Sequence, residues 1–125
     1  MKTDLAEIQQ TLIDLLRSQS PALRVSKENE KVFEVTGTVP VMQGKQKVDG
    51  HYFASVMPKP KDVRWYFFPI YTHVDAHDWD LSPELQKFLK GKSCFHIKKL
   101  SPEVEAEISG MIQKGIELYQ ADHLI

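Results

Sequence analysis

Gly50–Pro69, GHYFASVMPKPKDVRWYFFP, constrains the fold more than any other stretch of this chain. Two aromatic-rich runs flank a Pro-Lys-Pro-Lys-Asp breaker. Such a pattern predicts a β-hairpin with strands over His51–Met57 and Val63–Ile70 and a turn over Pro58–Asp62. Side chains alternate along a strand, so Trp65 and Phe67 share one face and Tyr66 and Phe68 the other. Neither face of that strand is built for water, and a layer of helices, a partner subunit or an apolar ligand is expected against each. The candidate ligand-binding or interface residues are therefore aromatic: Tyr52, Trp65, Phe67, Tyr71 and Trp79.

Around the hairpin, helices announce themselves through their caps. Thr3 or Asp4 caps a first helix, with Glu7 placed as in a capping box and Leu5, Ile8, Leu12, Leu15 and Leu16 at helical spacing. Ser20-Pro21 ends it. Leu-Ser-Pro-Glu occurs twice, at Leu81–Glu84 and Leu100–Glu103. Each copy sets a capping serine before a proline at the first helical position, followed by a carboxylate that suits the helix dipole. The first of these helices is expected to stop at Gly91 and the second to reach about Gln120, with a strand over Ser93–Lys98 between them. A further strand is expected over Lys31–Val41, and Gln43–Gly50 reads as a polar turn. The expected architecture is α+β, an antiparallel sheet packed against helices in the order α-β-β-β-α-β-α, within a single domain spanning residues 1–125.

The 125 residues suffice to bury roughly two-thirds of the unfolded surface without disulfides or metal. Sixteen basic and 17 acidic residues nearly cancel, which removes any bulk electrostatic pull toward nucleic acid or an anionic membrane. Cys94 is the sole cysteine, the amino-terminal segment is amphipathic, and no run is long enough to span a bilayer; a cytoplasmic location is expected.

Several local patterns bear on chemistry. Gly91-Lys92-Ser93 ends like a phosphate-binding loop, but Gln86 stands where the upstream glycine is needed, and a helix precedes it and a strand follows. Cys94 and His96 share a strand face, yet neighbours on one face lie about 6–7 Å apart, beyond the reach of a general base, and no third orienting group is evident. His73, Asp75, His77, Asp78 and Asp80 gather metal-ligand types, a set equally explained as an acidic loop before a helix. Lys87, Lys90, Lys92, Lys98 and Lys99 surround Phe88, Phe95 and His96, but without arginine enrichment nucleic acid is not the expected partner. Asp4, Glu7 and Asp14 fall on one side of the first helix, as candidate metal ligands or as a solvated face.

Three segments, His51–His73, Leu81–Glu103 and Gly115–Ile125, occur in the same order in the YdhG-like family of small bacterial domains, and the chain resembles that family over most of Val32–Ile125. Some members carry the label iron chaperone through similarity to frataxin. The resemblance implies an α+β domain with an antiparallel sheet packed against helices. It also implies a non-enzymatic protein binding iron or another small ligand. Frataxin-type iron binding uses exposed carboxylates on the first helix, and Asp4, Glu7 and Asp14 are the residues that match. The alternative is a self-associating module, in practice a homodimer, that docks through an aromatic sheet face. No catalytic residue is implied.

Overall fold

The computed structural model describes residues 1–74 and 79–125. Its first element, α1 (Leu5–Arg17), begins where Asp4 accepts a hydrogen bond from the Glu7 amide at 3.1 Å, and it buries Ile8, Leu12 and Leu16. Among the described residues eight strands follow in two groups: β1 (Arg24–Glu28), β2 (Phe33–Thr36), β3 (Val41–Gln43), β4 (Gln46–Val48), β5 (Tyr52–Pro58), β6 (Val63–Phe67), β7 (Leu89–Lys90) and β8 (Cys94–Ile97). Between β6 and β7 lie a single turn, α2 (Pro69–Thr72), and a short helix, α3 (Pro83–Phe88). The chain closes with α4 (Pro102–Ala121). Ser82 and Ser101 cap α3 and α4 by accepting from the Leu85 and Val104 amides.

Six strands pair antiparallel in the order β1-β2-β5-β6-β8-β7, while β3 and β4 make a separate ribbon. The aromatic hairpin is β5–β6, with Val56 opposite Trp65 and Ala54 opposite Phe67. The α+β class and the antiparallel sheet thus agree with the sequence reading, but the element order is richer. The strand expected over Lys31–Val41 contracts to Phe33–Thr36, because beyond Gly37 the Thr38 and Val39 amides turn to the Leu124 carbonyl near the carboxyl terminus. The polar turn over Gln43–Gly50 contains β4, the second arm of a ribbon that reverses at Gly44, whose φ of 64° suits glycine. β1 had no counterpart in the expected order. α3 ends at Phe88 rather than Gly91, and Gly91, with φ 71°, turns β7 into β8.

Alternation sorts the sheet into unequal faces. Phe33, Val35, Ala54, Val56, Val63, Trp65, Phe67, Phe95 and Ile97 form one cluster with the buried residues of α1 and α4, including Val104, Ile108, Ile112 and Ile116. Trp65 and Phe67 are completely buried there, their rings 5.0 Å apart, with Phe95 5.0 Å from Trp65. The intervening residues Glu34, Ser55, Arg64, Tyr66, Cys94 and His96 occupy the outer face, away from this core. Among the described residues, helices therefore seal the inner face of the hairpin alone, and Tyr66 and Phe68 are half-buried rather than sealed. At the sheet's margins, β1 carries a register shift between Val25 and Lys27, and β7 has two residues.

Among the described residues no helix is long and apolar enough to cross a membrane.

Candidate functional site

A concavity of about 400 Å³ opens on the outer face where the β3–β4 ribbon overhangs β1, β2 and β5. Its walls are Arg24, Ser26, Glu34 and Thr36 from β1 and β2, Gln43, Gln46 and Lys47 from the ribbon, and Asp49, Gly50 and Tyr52 from the lead into β5. Ser26 donates to Glu34 Oε2 at 2.7 Å, and Arg24 lies 3.8 Å from Asp49. The Tyr52 hydroxyl and Ser55 Oγ are 2.6 Å apart, and burial holds the Tyr52 phenol well above its ordinary pKa. Tyr52 is thus a neutral, fixed wall, and charge of both signs is supplied by Arg24, Lys47, Glu34 and Asp49. Amides, hydroxyls and an aromatic edge beside paired charges suit a small polar ligand.

The aromatic candidates separate. Tyr52 lines this groove. Trp65 and Phe67 lie inside the chain's own core, so the cover expected for that side of the hairpin is intramolecular. Tyr71 is 46% exposed, with the Lys92 ammonium 5.1 Å from its ring centroid. Trp79 stands edge-on to Phe67 at 5.4 Å and donates to the His73 carbonyl at 3.4 Å, on the opposite side of the molecule's core from the groove walls.

The carboxylates of α1 are engaged separately. Asp4 caps the helix, Asp14 accepts from Gln10 at 2.8 Å, and all three of Asp4, Glu7 and Asp14 are exposed. Among the described residues no group of three or more His, Cys, Asp or Glu side chains converges as a metal would require. Of the loop rich in ligand types, Asp75, His77 and Asp78 lie outside the described residues. His73 Nε2 sits 2.6 Å from Asp122 Oδ2 and its Nδ1 2.8 Å from Thr72 Oγ1, tying α2 to the end of α4.

Cys94 and His96 do share the outer face, but their partners differ. Cys94 neighbours the Tyr66 hydroxyl, and burial raises its pKa, the reverse of what a nucleophilic thiolate needs. His96 Nδ1 faces Asp62 Oδ2 at 3.7 Å.

His51 Nδ1 lies 3.1 Å from both the Tyr52 carbonyl and the Tyr119 hydroxyl, and the Tyr119 hydroxyl donates to that same carbonyl. Burial lowers the His51 pKa from 6.5; the Tyr52 carbonyl opposes the shift and nearby His73 adds to it. A lowered folded pKa means that the unfolded chain takes the proton first. Stability is then unaffected well above pH 6.5. It is lost as pH falls through that value, and the loss is complete below the folded pKa. His51→Gln should accordingly narrow the drop in thermal midpoint between about pH 7.5 and pH 5. An unchanged drop in the variant would assign it to other groups.

Comparison with protein-family models, with curated proteins and with solved structures finds no match. The groove residues on β1 and the ribbon carry little sequence signal. Arg24–Glu28 has one apolar residue, and Gln43, Gln46 and Lys47 sit in a segment whose clearest signal is the turn at Gly44. The valines that bracket the glycine, Val41 and Val48, which pair across the ribbon, are the trace from which it could have been found.

Proposed function

We propose that this chain is a YdhG-like domain acting as a non-enzymatic binding protein, with a small polar ligand held between the β3–β4 ribbon and the outer face of the sheet. The observation that carries this reading is the convergence of Arg24, Glu34, Gln43, Lys47 and Tyr52, from five separate strands, on one concavity of about 400 Å³. That volume falls in the range of small-molecule sites, roughly 300–1,000 Å³. The order of the three family-like segments and the packing of helices on one face of an antiparallel sheet support the family assignment.

Iron is the less favoured cargo, because Asp4 is already occupied as a helix cap and Asp14 by Gln10. Native mass spectrometry of the protein purified from its own host tests the choice. A bound organic molecule, lost on combining Arg24→Ala with Glu34→Gln, is the expected result. An apo mass throughout overturns the reading. So does a thermal midpoint that rises with millimolar Fe(II) and ceases to rise when Asp4, Glu7 and Asp14 are all alanine, which would put iron in the ligand's place.

A further inference from the structure

At the far end of the outer face from the ribbon, the turn between β5 and β6 gathers cations around a single carboxylate. Asp62 is 7% exposed. Its Oδ1 lies 3.4 Å from Arg64 Nε and its Oδ2 3.7 Å from His96 Nδ1, while Arg64 and His96 face each other across β6 and β8. One fixed carboxylate thus orients a guanidinium and an imidazole side by side. Asp62 meets Arg64 at Nε and faces His96 at Nδ1, and the guanidinium carries two further terminal nitrogens besides.

Lys59 and Lys61 flank Asp62 on the turn, and Lys98 follows directly on the Val63–Ile97 pair; all three are exposed. Among the described residues none of the three lies within ion-pair distance of a carboxylate. A concavity of about 290 Å³ at the turn is lined by Lys59, Pro60, Lys61, Asp62 and Arg64. Three permanent cations therefore share this concavity with one carboxylate, and Lys98 adds a fourth next to the Val63–Ile97 pair, in a chain whose basic and acidic residues otherwise nearly cancel. Like charges held together in this way favour a multivalent counter-ion, and an arginine fork beside lysines matches the geometry and charge of phosphate better than a single carboxylate.

We propose that the β5–β6 turn, with Arg64 and the adjoining His96 and Lys98, is a separate anion site on the outer face that takes the phosphate group of a phosphorylated small molecule. The inference goes beyond the groove reading and stands independently of it, since the two concavities share no residue.

Amide NMR of the full chain, titrated with inorganic pyrophosphate at constant ionic strength, tests it. Saturable shifts confined to residues 59–64 and 96–98 are expected. Combining Arg64→Gln with Lys98→Gln should weaken the apparent affinity by about tenfold or more, while Lys114→Gln on α4 leaves it unchanged. Parallel titrations with inorganic phosphate and with phenyl phosphate separate a free-ion site from an ester site, the tighter partner naming the source.

Shifts that never saturate, or that spread over every lysine, overturn the anion site. Tight binding of a short single-stranded oligonucleotide without pyrophosphate saturation overturns it too, in favour of a nucleic-acid surface. A ligand that co-purifies while pyrophosphate fails to saturate refutes the anion site and leaves the groove standing. Pyrophosphate saturation with no co-purifying ligand supports the anion site and refutes the groove alone.

Discussion

Replacing Trp65 with alanine is expected to destabilise the protein by about 3–5 kcal/mol, the range for removing a large buried aromatic. The indole is completely buried at the centre of the sheet, against Phe67 and Phe95 and under α1 and α4. Domains of this size are stable by about 5–15 kcal/mol, so the variant should be marginal or unfolded at room temperature. Trp65→Phe separates the ring's volume from its polar atom. Trp65 Nε1 has no hydrogen-bond partner among the described residues, and a buried unpaired donor costs about 1–3 kcal/mol. Phenylalanine removes that donor, so part of the loss in volume is offset and the cost should fall well below that of alanine. Urea denaturation of both variants measures the difference; equal costs would overturn the argument.

Gly50→Ala is the second large effect. A Cβ at position 50 would sit 2.0 Å from the Gly37 carbonyl oxygen and 2.4 Å from Thr36 Oγ1, so backbone must move. The Gly37 amide donates to the His51 carbonyl at 2.8 Å, and Thr36 donates to the Gly37 carbonyl. The substitution thus wedges apart the junction of β2 and β5. Forced overpacking of this kind costs typically 1–3 kcal/mol and occasionally more, and the upper end, about 3 kcal/mol, is expected where the obstacle is main chain. Gly110→Ala is the control. Nothing lies within 4 Å of a Cβ there, in the middle of α4, and alanine should stabilise by about 0.5–1 kcal/mol. Thermal midpoints moving in opposite directions would verify both; a neutral Gly50→Ala would mean that the junction yields.

The same pair of glycines marks the boundary of what sequence reading reaches. Signals contained within a few residues were legible: the caps at Asp4, Ser82 and Ser101 act on amides three residues on, and the Pro58–Asp62 turn closes through Lys59 N to Asp62 O at 3.0 Å. β1 was not, because its exposed residues carry no apolar alternation and its order comes from pairing with β2. Neither was the approach of Gly37 to Gly50, or of Leu124 to Gly37, which depends on contacts remote in the chain. The groove inherits this blindness, since two of its walls are β1 and the ribbon. The aromatic residues misled in the other direction. Trp65 and Phe67 advertise a sticky surface in one dimension and form the core in three.

The sheet's two margins differ from its middle in a way that bears on solubility at high concentration. A bulge interrupts β1 after Val25, and β7 offers two residues, so neither side presents a straight run of free amides and carbonyls onto which a second copy could add its own strand. Edge-to-edge growth toward fibrils is thereby blunted at both margins of the six-stranded sheet.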